Sequence, residues 1–272
     1  MRLREAIARA ASTLSGTSET PRLDAELLAA HALGANRETL LLHYLDKAEP
    51  PAFEALVERR AKGEPIAYII GQRDFWTITL HVAPGVLIPR PDSETLIEAA
   101  IAHFGEAGPA TVLDLGTGSG ALLLAALDQW PKAKGVGVDL SERAVEIARA
   151  NAERLGMACR ASIIQSDWDA DINDRFDLIL CNPPYIGTGE SLPVDVAVYE
   201  PSTALYAGAD GLDAYRLLAS RLARLLSTRG FALFEIGATQ GRAVMALFRA
   251  HGHDARLIHD LAGLDRCIAI SA

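Results

Sequence analysis

Apolar positions change period twice along the 272-residue chain. Through residues 1–64 they recur at helical spacing, over 25–33, 38–45 and 52–62, with breaks at Gly34 and at Pro50-Pro51. That pattern predicts a small all-α domain over residues 1–64. Residues 65–90 carry shorter apolar runs at Tyr68-Ile69-Ile70, at 75–80 and at Val86-Leu87-Ile88, with turn residues at Gly71-Gln72 and Pro84-Gly85. These predict a connector of short strands containing a hairpin. From 91 to 272 unbroken apolar runs (111–115, 135–139, 161–164, 176–181, 231–235, 257–258, 267–270) alternate with helical stretches (120–129, 142–155, 212–226, 242–250). Strands that are apolar on both sides suit a parallel sheet covered by helices on each face, so this part is predicted to be a doubly wound α/β domain.

Composition narrows the possible functions. Half of the residues are hydrophobic, yet no apolar stretch approaches the length of a membrane span. The arginine-rich start, Met1 to Arg9, contains Glu5 and is expected to be an ordinary first helix. Net charge is −9; acids and bases balance over residues 1–90, so the whole acidic excess lies in 91–272. An acidic body repels phosphate backbones, which argues against a nucleic-acid partner. Cys159, Cys181 and Cys267 form no close pair, and His251, His253 and His259 lack a completing carboxylate or thiol. No disulfide framework and no metal site are expected, and a reducing cytoplasm fits.

The candidate chemistry centres on Asn182-Pro183-Pro184-Tyr185, directly after the apolar run at 176–181. Consecutive prolines fix two φ angles and remove two N–H donors, so the loop is stiff and its carbonyls are free to accept. An amide side chain beside such carbonyls is an acceptor set for a planar –NH2 group. The turn Gly116-Thr117-Gly118-Ser119-Gly120, after the run at 111–115, allows a ligand to approach the backbone closely. With Ala121 it also satisfies a dinucleotide fingerprint. Asp139 ends the second strand, where a carboxylate accepts from ribose hydroxyls, an arrangement shared by nicotinamide and S-adenosylmethionine sites. Asp167-Trp168 follows the third strand, where a carboxylate can take an adenine amino group and an indole can flank the base. Hydride transfer has no use for a rigid acceptor loop, whereas methyl transfer to an amide nitrogen does.

On these residues the chain resembles the class I S-adenosylmethionine-dependent methyltransferases with an Asn-Pro-Pro-Tyr loop. Three further stretches carry a narrower resemblance: 63–71 with Phe75 downstream, 86–94, and 200–205 running on to 208–212. Through them it is similar to the family (PrmC/HemK) that methylates the glutamine of the Gly-Gly-Gln motif in class I peptide chain release factors. Arg90 is followed by Pro91, not by the Ser associated with the related ribosomal-protein branch; Ser93 stands where Thr is usual.

The resemblance implies a seven-stranded methyltransferase domain over 91–272, S-adenosylmethionine as donor and S-adenosylhomocysteine as product. It implies cofactor contacts from Gly116, Thr117, Gly118, Ser119, Gly120, Asp139, Trp168 and Asn182. It further implies glutamine binding by Asn182, Pro183, Pro184 and Tyr185, with the Asn182 oxygen and the Pro183 carbonyl accepting from the amide. Arg90 would either border the cofactor or serve the connector's structure. The helical domain would dock the protein substrate, and a monomer is expected. Alternatives left open are a glutamine methyltransferase of a large-subunit ribosomal protein, an adenine N6-methyltransferase, a nicotinamide-dependent dehydrogenase and a non-enzymatic cofactor-binding module.

Overall fold

A computed structural model describes all residues, Met1–Ala272. They divide into two compact units, Met1–Gln72 with Leu192–Tyr199, and Arg73–Ser191 with Glu200–Ala272. No helix is long and apolar enough to cross a membrane.

The first unit packs α1 (Leu3–Leu14), α2 (Pro21–Leu33), α3 (Arg37–His43) and α4 (Phe53–Ala61) around Leu3, Ile7, Leu14, Leu28, Leu40 and Phe53, all essentially inaccessible. The apolar run at Tyr68-Ile69-Ile70, expected as a strand, is instead the helix α5 (Ile66–Ile70). Pro65 precedes its first turn, Gly71 ends it in the left-handed region, and Ile69 joins the same core. This packing carries the compact unit to Gln72, past the expected boundary at residue 64. The unit also takes in α9 (Val194–Tyr199), a short helix from the later part of the chain whose Tyr199 hydroxyl donates to the Lys62 carbonyl at 3.3 Å.

The expected strand at 75–80 is a hairpin of two strands, β1 (Gln72–Phe75) and β2 (Ile78–His81). The turn comes at Trp76, whose φ is 54° and whose N–H donates to Glu94 at 2.9 Å. Val86-Leu87-Ile88 is not a strand, because the Ile88 N–H is satisfied by the Glu200 carboxylate at 3.2 Å rather than by a ladder partner.

The second unit holds a seven-stranded sheet in the order β5 (Ala161–Gln165), β4 (Lys134–Asp139), β3 (Thr111–Leu115), β6 (Phe176–Cys181), β7 (Leu226–Glu235), β9 (Asp265–Ser271), β8 (Asp254–His259). The first five are parallel, and β9 runs antiparallel to both β7 and β8. Alternate residues of one strand join different cores, as a period of two requires. Val112, Leu178, Leu180 and Leu233 pack with α6 (Glu94–Phe104), α7 (Ala121–Gln129) and α8 (Glu142–Arg154). Leu113, Leu115, Ile179, Cys181 and Phe234 pack with α10 (Asp213–Leu225) and α11 (Gly241–Ala250). The doubly wound architecture is therefore present. The order in which the chain adds strands reverses between the parallel β3 and β6, where Leu115 and Cys181 lie side by side. Such a switch point opens a crevice at the carboxyl ends of the strands.

Candidate active site

The residues after Leu115 and Cys181 are the glycine turn and the Asn-Pro-Pro-Tyr loop, so the sheet register itself brings the two motifs together. A cavity of about 460 Å³ opens there, within the range of roughly 300–1,000 Å³ usual for ligand sites. Its walls come from four successive strand ends: Gly116 and Gly118 after β3, Asp139 and Leu140 at β4, Ser166, Asp167 and Trp168 after β5, and Asn182 with Pro184 after β6. Gly85 to Leu87 and the segment Pro201, Thr203 and Ala204 close it.

Only part of the glycine turn faces the cavity. Thr117 and Ser119 are buried, and Thr117 Oγ1 donates to Asp114 Oδ2 at 2.7 Å. Asp114 Oδ2 also accepts from the Leu123 N–H at 3.2 Å, while Asp114 Oδ1 is buried without a partner. Burial pushes the Asp114 carboxyl up to about 7 against the pull of these two hydrogen bonds, and the nearby Asp139 charge adds to the rise. Gly120 caps the start of α7 and does not line the cavity. A Cβ on Gly116 would come within 3.8 Å of the Trp168 ring, so glycine keeps the space between loop and indole open.

Asp139 accepts from the Gly118 N–H through Oδ2 and from the Ser141 N–H through Oδ1, each at 2.9 Å. Burial raises its carboxyl, and the backbone donors Ser141, Gly118 and Leu140 oppose the rise. A carboxylate has about four lone-pair directions, so capacity remains for a hydroxyl donor. Leu140, 64 % exposed, and the half-buried Trp168 supply apolar surface on the same cavity. A carboxylate, backbone N–H groups, an indole and an aliphatic side chain form a donor, acceptor and apolar set that fits an adenosine.

Asn182 lines the cavity, and its Nδ2 donates to Ser93 Oγ at 3.2 Å. Its Oδ1 accepts nothing from the chain and is not sealed from solvent. Pro183 is buried, and its carbonyl accepts no hydrogen bond within the chain. Tyr185 is not part of the cavity wall; its ring packs on the sheet core and its hydroxyl donates to Glu235 Oε1 at 3.5 Å. Burial pushes the Tyr185 phenol well up, with the Glu235 charge adding. Arg90 does not border the cavity. It pairs with the buried Glu200 at 2.5 Å and so tethers the connector to the 200–212 stretch.

Several supports of the loop carried no sequence signal of their own. Gln240 Nε2 donates to the Tyr185 carbonyl at 2.8 Å, while Gln240 Oε1 accepts from the Gly237 N–H at 3.0 Å. Ile186 sits opposite Tyr206 in a parallel bridge, donating to the Leu205 carbonyl at 3.0 Å and accepting from the Ala207 N–H at 2.9 Å. Glu235, 1 % exposed at the end of β7, accepts from Tyr185, and the neighbouring Ser93 hydroxyl favours its charged form. Only the stretches 86–94 and 200–212, which resemble a known family, hinted at where such supports lie.

Residues 5–71 match the PrmC N-terminal domain, and residues 92–197 match the methyltransferase small domain. The chain is 43 % identical over 273 residues to the release factor glutamine methyltransferase of Cereibacter sphaeroides, covering 98 % of this chain and 96 % of that one. It is 43 % identical over 256 residues to the protein of the same name from Rhodospirillum rubrum, covering 92 % of this chain and 78 % of that one. The fold is shared with the 16S rRNA N2 G1207 methyltransferase of Thermus thermophilus, solved with AdoMet and guanosine, at a TM-score of 0.52 and 24 % identity over 74 % of this chain and 49 % of that one. The carboxyl-edge cavity beside an Asn-Pro-Pro-Tyr loop, and the near full-length likeness to these relatives, place the chain in the release factor glutamine methyltransferase family.

Proposed function

We propose that this protein methylates the side-chain amide nitrogen of the glutamine in the Gly-Gly-Gln motif of class I peptide chain release factors. The methyl would come from S-adenosylmethionine, leaving S-adenosylhomocysteine. One observation carries the proposal: Asn182 holds its Nδ2 on Ser93, which leaves Oδ1 as a free acceptor on the cavity, one residue from the unpartnered Pro183 carbonyl.

That pair answers the electronic problem of the substrate. An amide nitrogen is a poor nucleophile because its lone pair is delocalised into the carbonyl. Acceptors for both N–H bonds raise electron density on nitrogen and favour its pyramidal form. Asn182 Oδ1 and the Pro183 carbonyl would be those acceptors, with Tyr185 flanking the glutamine side chain. Bound S-adenosylmethionine supplies an electrophilic methyl on a sulfonium. Asp139 would hold the ribose, Gly116 and Gly118 would let the cofactor lie against the backbone, and Trp168 and Leu140 would flank the adenine. The nitrogen becomes strongly acidic once alkylated, so no base is required beforehand, and most of the rate gain is positioning and preorganised electrostatics.

The first unit would dock the release factor, the protein acting as a monomer in the cytoplasm. A short Gly-Gly-Gln peptide and an intact release factor, compared as substrates with and without residues 1–64, test that role. The activity itself is tested with labelled S-adenosylmethionine, a release factor and a large-subunit ribosomal protein, locating the methyl by mass spectrometry. Methyl on the Gly-Gly-Gln glutamine is the expected result. Methyl on the ribosomal protein alone would reassign the substrate.

A further inference from the structure

Two buried side chains behind the acceptor loop have no part in the chemistry outlined above. Ser93, 3 % exposed, ends the short turn Pro91–Ser93 ahead of α6. Glu235, 1 % exposed, ends β7 beside β6, where Phe234 pairs with Cys181, so Glu235 and Asn182 are the next residues on neighbouring strands. Ser93 Oγ accepts from Asn182 Nδ2 at 3.2 Å, and the Ser93 hydroxyl neighbours the Glu235 carboxyl and favours its charged form. The same carboxyl meets the Tyr185 hydroxyl at 3.5 Å through Oε1, and its Oε2 is buried without a partner.

A serine hydroxyl has one hydrogen. An ionised Glu235 with an unpartnered Oε2 can only accept, so the Ser93 hydrogen turns toward it and Ser93 Oγ can then only accept from Asn182. The amide is thereby compelled to present Nδ2 to Ser93 and Oδ1 to the other side. We infer that Glu235 and Ser93 are positioning residues that set the orientation of the Asn182 amide and keep an acceptor, not a donor, facing the substrate nitrogen. This rests on the proposed glutamine methylation and deepens it.

The converse state has the opposite geometry. A protonated Glu235 can donate to Ser93, which frees the serine hydrogen for Asn182 Oδ1. The amide then turns over and points Nδ2 at a substrate –NH2, donor against donor. Groups facing Glu235 come from every neighbouring element: Asp92 and Ser93 from the turn, Tyr185 from the loop, Cys181 from β6, Tyr215 from α10, and Arg266 and Cys267 from β9. Burial dominates them and lifts Glu235 to about 7; the neighbouring Ser93 hydroxyl and the Arg266 charge oppose the rise. A carboxylate so raised weakens the fold as pH increases, so its place behind the loop is poorly explained by stability.

The test uses Ser93→Ala, Ser93→Thr and Glu235→Gln in the full chain. Ser93→Ala is expected to lower kcat roughly 10- to 100-fold on a release factor, with S-adenosylmethionine affinity within about twofold. Ser93→Thr restores the hydroxyl and the rate. The wild-type kcat is expected to fall on the acid side of about pH 7, and Glu235→Gln to abolish that limb. Asp114 titrates in the same range but belongs to the cofactor loop, so its effect falls on cofactor affinity. A readout free of activity is the Asn182 side-chain NH2 signal in a 15N spectrum, assigned by its loss in Asn182→Asp. It should shift with a midpoint near pH 7 in the wild type and stay flat in Glu235→Gln. A flat wild-type signal, or Ser93→Ala turning over at the wild-type rate, overturns the inference. Absence of glutamine methylation by the wild type would refute the proposed activity, and the NMR titration would still decide the positioning.

Discussion

Gly211→Ala probes the loop without substituting any residue proposed to meet substrate. Gly211 has φ +72°, and a Cβ built on it would lie 2.1 Å from the Tyr185 carbonyl oxygen and 2.9 Å from Gln240 Nε2. An ordinary carbon–oxygen contact begins at about 3.3 Å, so the carbonyl must retreat by about 1 Å. The left-handed conformation costs an alanine about 1–2 kcal/mol, and losing the Gln240–Tyr185 hydrogen bond about 1 kcal/mol more. A total of about 2–3 kcal/mol should lower the Tm of the methyltransferase unit by roughly 5–10 °C. The same 1 Å shift carries Tyr185 and its neighbours off their positions, and a displacement of that size lowers kcat by about 10²-fold.

Gly34→Ala is the control. Gly34 has φ +64° but no atom within 4 Å of its Cβ position, so only the conformational cost of about 1–2 kcal/mol applies. The two variants, assayed for release-factor methylation and thermal unfolding, should both melt lower, and only Gly211→Ala should lose turnover. Wild-type kcat in Gly211→Ala would show that loop position does not govern the rate and would refute the reasoning.

Asn182→Ala is expected to reduce turnover by about 10²-fold or more, with a smaller change in S-adenosylmethionine affinity, read by steady-state kinetics and titration calorimetry. Asp139→Ala should weaken S-adenosylmethionine binding by removing the proposed ribose acceptor and freeing the Gly118 N–H; unchanged affinity would contradict that assignment. Asp114 is raised from 3.8 to about 7 on folding, so its stabilising effect is complete below about pH 4 and is lost as pH rises to about 7. The loss amounts to about 4 kcal/mol at about 1.4 kcal/mol per pH unit, and Asp114→Asn should flatten the fall of Tm over that window.

Periodicity revealed most of the sheet because parallel strands are buried on both faces and read as solid apolar runs. The run at 176–181 coincides with β6. The same signal misled at Tyr68-Ile69-Ile70, since a short apolar run does not distinguish a strand from a buried helix turn; Pro65 and Gly71 decided for the helix. The glycine turn and the Asn-Pro-Pro-Tyr loop were legible as chemistry because glycine and proline restrict the backbone by themselves. Glu235 was not, being one acid at the end of an apolar run, and Gln240 was one polar residue before a helix. Their roles depend on neighbours far away in the chain, Tyr185 for both and Ser93 for Glu235.

The stiffness attributed to the tetrapeptide is therefore only partly its own. Two prolines fix rotation along the loop, but nothing in Asn182-Pro183-Pro184-Tyr185 determines which way the Asn182 amide faces or how far the Tyr185 carbonyl stands from the sheet. Ser93 supplies the first and Gln240 with Gly211 the second, from segments roughly ninety residues earlier and about twenty-five to fifty-five later. An acceptor set accelerates methyl transfer only if it is already in place when the nitrogen arrives, because reorganisation during the reaction consumes the gain. It follows that the same four residues set at the end of another parallel strand, without a hydroxyl and a carboxylate behind them, would present the amide in either orientation and accelerate the reaction less.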